Sequence, residues 1–203
     1  GSMGQEPMSE KATAGNAENT GNAGNGKPRR SWWLWAGALV CLALVFWFFG
    51  QPPEGPFTGE RAPDFTVTTL TGEQIDLASL RGEPIFINFW ATWCAPCREE
   101  MPEIQALVEA HPGEFHVVAV SDEARSTVEA YLKEFDYTFP IYLDHRGAMG
   151  RTYLVTAMPT SLFIDERGII RARHVGQMTR EQMETYLRQI VADWDQGPDS
   201  EQG

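Results

Sequence analysis

The stretch Trp90-Ala91-Thr92-Trp93-Cys94-Ala95-Pro96-Cys97-Arg98-Glu99-Glu100-Met101-Pro102 joins an apolar run to a helical pattern. The run before it, Pro84-Ile85-Phe86-Ile87-Asn88-Phe89, is rich in β-branched and aromatic residues, as expected of a strand covered on both faces. After it, Met101, Ile104, Leu107 and Val108 keep helical spacing, and the helix is expected to end near His111-Pro112-Gly113. Two cysteines two residues apart at such a junction form a redox pair or half a metal site. A cysteine at a helix start sits among unpaired backbone N–H groups, which favour thiolate over thiol. Two intervening residues bring the second sulfur round to close a disulfide, and Pro96 suits a first turn that does not need its N–H. A zinc site would need a second pair of ligands at fixed spacing. The histidines (His111, His116, His145, His174) are scattered singly, so no metal is expected and the pair reads as redox-active.

Outward from this block, Phe65–Leu70 and Gln74–Leu77 read as strands about the turn Thr71-Gly72-Glu73. Phe115–Val120 is a second buried strand. Ser121 and Asp122 are expected to cap a helix carrying Val128, Tyr131, Leu132 and Phe135. Phe139–Leu143 is a short strand, and a brief helix at 149–154 leads to Met158-Pro159-Thr160. Ser161–Asp165 and Ile169–Arg173 form a hairpin through Glu166-Arg167-Gly168. A last helix follows the cap Thr179 and carries Met183, Leu187 and Ile190. This order implies an α/β domain, a mixed sheet with helices on both faces.

The N-terminal part is of another kind. Residues 1–31 hold almost no large apolar side chains and are expected to be disordered. Residues 32–49, WWLWAGALVCLALVFWFF, carry no charge over 18 residues, the lower end of a bilayer-spanning helix. Trp32, Trp33, Trp35 and Trp47 lie near its ends, as at membrane interfaces. Lys27, Arg29 and Arg30 precede it and Glu54 and Glu60 follow, which puts the N-terminus in the cytoplasm and the rest outside. No A-x-A-like cleavage site follows Phe49, Leu39-Val40 do not suit a lipoprotein site at Cys41, and a core helix would show a polar face. An uncleaved anchor is the reading. Residues 50–58 form a Pro/Gly linker, residues 59–193 the globular domain, and residues 194–203 a disordered acidic tail.

The 203-residue chain has a net charge of −12. Of its 16 basic and 28 acidic residues, residues 1–31 hold four (Lys11, Lys27, Arg29, Arg30) and three (Glu6, Glu10, Glu18), leaving 12 against 25 in the remainder. So acidic a domain would repel a phosphate backbone, which excludes nucleic acid as a partner.

From about Ala62 to Val191 the chain resembles the thioredoxin-like domain of the membrane-anchored TlpA/ResA proteins, within the AhpC/TSA-type redoxins. The marks are Ala62-Pro63-Asp64-Phe65, Leu80-Arg81-Gly82, the Phe89–Cys97 block, Glu100-Met101-Pro102, and Met158-Pro159-Thr160 before Phe163-Ile164-Asp165. The resemblance implies a thioredoxin fold with an added N-terminal β-hairpin, and a thiol–disulfide oxidoreductase needing no cofactor beyond its own Cys94–Cys97 pair. Cys94 would be the exposed nucleophile and Cys97 the buried resolving thiol. Pro159 matches the family's cis-proline, which offers backbone hydrogen bonds to the substrate. Trp93, Ala95, Pro96 and Met158 would shape that surface with it. Glu100 would be the acid that tunes thiol protonation, since Asn88 stands where thioredoxins proper carry a buried aspartate. Proteins of the CcmG type, which serve cytochrome c maturation, carry Glu after the cis-proline; Thr160 departs from them.

The implied clients are disulfide-containing exported proteins, met by a domain on the periplasmic or outer side of the cytoplasmic membrane. There a reductase needs electrons delivered through the membrane, by a DsbD- or CcdA-like donor. The alternatives are a disulfide-forming oxidant, and a client-binding chaperone or metal-tolerance module without turnover.

Overall fold

The computed structural model describes residues 31–192 and residue 194, and the chain divides into two compact units, 1–50 and 51–203. The expected disordered segment up to residue 30 and the tail from residue 195 lie outside the described residues.

In the first unit, Ser31–Phe49 forms helix α1, as its unbroken apolar sequence suggests. Side chains are described from Trp35 to Phe48, and all are exposed. Among the described residues no helix is long and apolar enough to cross a membrane.

The second unit is a seven-stranded sheet with helices on both faces. Its strands are β1 (Thr66–Thr69), β2 (Gln74–Asp76), β3 (Ile85–Phe89), β4 (His116–Ser121), β5 (Ile141–Leu143), β6 (Thr160–Ile164) and β7 (Ile170–Val175). They lie in the order β2-β1-β5-β4-β3-β6-β7. β3 runs parallel to β4 and antiparallel to β6, which makes the sheet mixed, and β1–β2 is the expected N-terminal hairpin. The helices are α2 (Ala95–Ala110), α3 (Arg125–Leu132), α4 (Ala148–Thr152) and α5 (Arg180–Leu187).

All five residues of β3 are buried, so its period-2 alternation divides two cores. Phe86 and Trp90 join the core built with Cys97, Met101 and Leu187 from α2 and α5. Ile85, Ile87 and Phe89 join the opposite core with Tyr153, Leu80 and Phe65. Asn88, between Phe86 and Trp90, therefore enters the α2 side.

Three details differ from the sequence expectation. Ser121 and Asp122 do not cap α3, whose N-cap position is Ala124 with no side-chain cap bond. Ser121 instead completes β4, paired with Leu143, because extending the ladder satisfies its backbone. The expected linker is bound to the domain: Arg61 Nη2 donates to Gln51 Oε1 at 2.9 Å, and the Gly55 N–H donates to the Arg61 carbonyl at 3.0 Å. Trp194, expected at the start of the tail, is buried and stacks on His111 with ring centroids 3.9 Å apart.

Candidate active site

The site lies where β3 hands over to α2. The Trp90 N–H continues the sheet by donating to the Val120 carbonyl at 3.0 Å. The loop that follows is clamped by Glu123. Its carboxylate accepts the Thr92 N–H and the Thr92 hydroxyl, both at 2.7 Å, and the Ser121 hydroxyl at 3.1 Å. Sequence reasoning missed Glu123, because its partner lies 31 residues away and no local spacing signals the contact.

Cys94 is the N-cap of α2, and Pro96 sits in the first turn, where a missing N–H costs nothing. Cys94 and Cys97 are joined in a disulfide with Cα atoms 5.3 Å apart. The Cys97 N–H, one of the unpaired donors of the helix start, points at Cys94 Sγ at 3.3 Å. The same donor would stabilise a Cys94 thiolate once the bond opens.

Cys94 is not exposed as expected: it retains 4 % accessibility against 1 % for Cys97. Its sulfur folds back over the first turn, so its surface is used against the helix end. What stands exposed around the pair is Trp93, at 71 %, with Ala95 and Pro96.

The β3–β6 register pairs Phe89 with Thr160, which brings Pro159 level with Trp90 at the cysteine end of the sheet. The Met158–Pro159 bond is cis, and Met158 packs partly buried against the core that contains both cysteines. The Pro159 carbonyl accepts the Gly176 N–H at 2.8 Å, and the Thr160 hydroxyl donates to the Ala157 carbonyl at 2.7 Å. Thr160 is thereby engaged within its own loop.

Glu100 lies one helical step of three beyond Cys97, on the same buried face of α2, whereas Glu99 is exposed. Glu100 is 1 % accessible, and neither carboxyl oxygen makes a complete hydrogen bond. Burial pushes its pKa from the ordinary 4.5 up to about 8, with the Met178 backbone and the Asn88 side chain holding it back only in part. At neutral pH it is mostly a protonated acid beside Cys97. Asn88 is itself buried, its Nδ2 donating to Ser161 Oγ at 3.0 Å.

Among the described residues no group of three or more His, Cys, Asp or Glu is arranged to hold a metal ion. The chemistry available is sulfur exchange at a cysteine-bearing helix end, with the buried Glu100 carboxyl one helical step away.

Known proteins share this arrangement of sequence and fold. The AhpC/TSA family model matches residues 58–173. The thiol–disulfide oxidoreductase ResA of Bacillus thuringiensis is 38 % identical over 162 residues, covering 75 % of this chain and 91 % of that protein. The thioredoxin-like protein YneN of Bacillus subtilis is 35 % identical over 164 residues, covering 75 % and 96 %. Among solved structures, a thiol:disulfide interchange protein DsbE of Chlorobium tepidum superposes with a TM-score of 0.62 at 30 % identity, covering 66 % of this chain and 97 % of that one. StoA of Bacillus subtilis gives a TM-score of 0.54 at 32 % identity, covering 61 % and 96 %. The chain belongs to the AhpC/TSA family and is a thioredoxin-like thiol–disulfide oxidoreductase similar to the ResA proteins.

Proposed function

We propose that the protein is a membrane-tethered reductase of disulfides in exported proteins, working through a Cys94/Cys97 dithiol–disulfide cycle. The observation that carries the reading is the cysteine pair at the N-terminus of α2 with the buried, proton-holding Glu100 behind Cys97.

In the reducing direction the Cys94 thiolate attacks one sulfur of a client disulfide. A Cys94–client bond forms, and the other client sulfur leaves as a thiolate. Cys97 then loses its proton and attacks Cys94 Sγ, which expels the second client thiolate and closes the Cys94–Cys97 disulfide. Two electrons have passed to the client. Glu100, titrating in the thiol range, exchanges the Cys97 proton. Exposed Trp93, Ala95 and Pro96, with Met158 and Pro159, form the surface on which the client chain lies. A transmembrane donor of the DsbD or CcdA kind returns the two electrons.

The tether rests on the sequence of residues 32–49, an 18-residue apolar run without charge preceded by Lys27, Arg29 and Arg30. It holds the catalytic domain at the outer face of the cytoplasmic membrane. With Thr160 after Pro159, and no carboxylate there, the clients are general exported proteins and not apocytochromes alone.

The reduction potential of the pair tests the direction. A value of about −250 mV or lower, near reducing thioredoxins, fits a reductase. A value near −120 mV, that of a strong oxidant, would reverse the assignment. A chain that binds clients but reduces no disulfide would be a docking module.

A further inference from the structure

The Met158 side of the cysteine pair opens into two adjoining clefts that the sulfur chemistry does not use. One, of about 220 Å³, is walled by Phe89, Val120, Val155 and Met158. The other, of about 470 Å³, lies beside Thr68, Gln74 and Leu143. Asp122, Asp144 and Arg146 line both, so they form one groove running from Met158 to the β1–β2 hairpin.

The charges on its walls are unequally free. The Asp144 carboxylate accepts the Met149 N–H at 2.9 Å and the Gly150 N–H at 2.8 Å. Glu123 is held by Thr92 and Ser121. Both acids are engaged within the fold. Asp122 is the remaining carboxylate of the groove. Against it stand Arg125, Arg146 and Arg151, all exposed and, among the described residues, without an ion pair to any carboxylate. Arg151 donates only to the Arg146 carbonyl.

Of the groove's three carboxylates Asp144 is buried and Glu123 half-buried, so the exposed charge is three guanidiniums against Asp122, in a chain where acids outnumber bases 28 to 16. Arg146, at the junction of the clefts, has a φ of 60°, a left-handed conformation unfavourable to a residue with a Cβ.

We propose that this groove is a client subsite selecting acidic, extended polypeptide. With the target sulfur at Cys94, client residues on the Met158 side lie along the groove, and their Asp or Glu carboxylates pair with Arg146, Arg151 and Arg125. Such pairing acts chiefly on the encounter rate and on choice among partners. The inference rests on the reading of Cys94 and Cys97 as a reductase of client disulfides.

The test uses the reduced full-length protein and disulfide-bonded peptides that differ only in a short run of Glu, Ser or Lys flanking one cysteine. A small neutral disulfide, dithiodipyridine, is the control. The Glu peptide is expected to react about tenfold faster than the Lys peptide at low salt, with the gap closing as salt screens the charges. Arg146→Glu with Arg151→Glu reverses that order and leaves the dithiodipyridine rate unchanged. Arg146→Ala with Arg151→Ala abolishes it without reversal. Equal peptide rates with full dithiodipyridine reactivity would overturn the groove and leave the reductase standing. Failure to reduce any of the disulfides would overturn the reductase reading itself.

Discussion

At the scale of single residues, two carboxylates stand in opposite situations. Glu100 is buried without a complete hydrogen bond, and its pKa is raised to about 8. A carboxyl whose folded pKa is raised binds its proton more tightly when folded. The stability this confers is complete below about 4.5 and is lost as pH rises towards 8, by at most about 5 kcal/mol. Urea unfolding of the oxidised protein should therefore show falling stability across that window, and Glu100→Gln should flatten it. The same substitution should change the pH profile of Cys97 alkylation in the reduced protein. An unaltered pair of profiles would return Glu100 to a passive role. Glu123 instead accepts three charge-assisted bonds at its carboxylate, from the Thr92 N–H, the Thr92 hydroxyl and the Ser121 hydroxyl. Glu123→Ala should lower stability by about 1–3 kcal/mol in thermal unfolding, by leaving the Thr92 N–H and hydroxyl unpaired. Glu100 was legible in the sequence through the resemblance to the ResA proteins, and the helical period places it on the face of Cys97. Glu123 was not, since only the folded sheet brings it to Thr92.

At the scale of elements, the clearest sequence signals came from segments with one dominant force. β3 was readable to its ends because a near-continuous apolar run, broken only by Asn88, fits a doubly covered strand. The start of α5 was readable because Thr179 and Gln182 form a capping box, each side chain bonding the other's backbone N–H. Thr179→Ala should cost about 1 kcal/mol in chemical unfolding while leaving the Cys94 reaction rate untouched. A drop in reactivity would mean that α5 does more than support the core. The start of α3 was misread because serine serves strands and caps alike. Ser121 continues the ladder with β5, and its hydroxyl goes to Glu123. The left-handed Arg146 had no local mark, since glycine at 147 alone does not announce an arginine in that conformation before it.

At the scale of the whole molecule, the chain joins an apolar helix to an acidic redox domain. The proposed tether predicts that the full-length protein stays with membranes through alkaline carbonate extraction, whereas residues 51–203, a separate compact unit, are released. Recovery of the full chain in the carbonate supernatant would remove the anchor from the account. The C-terminal side of the domain closes on itself through the stacked His111 and Trp194, so Trp194→Ala should destabilise the domain by about 3 kcal/mol. Trp194 escaped the sequence reading because one tryptophan among acidic and polar neighbours has no period to betray it.

The central claim is that Cys94 attacks client disulfides and Cys97 resolves the product. It is tested most directly by replacing the resolving thiol, Cys97→Ser, and analysing client-bound species on non-reducing gels. Disulfide-linked adducts should accumulate, vanish on reduction, and fail to form when Cys94 is also replaced by Ser. Absence of adducts in Cys97→Ser, or their persistence without Cys94, would contradict it.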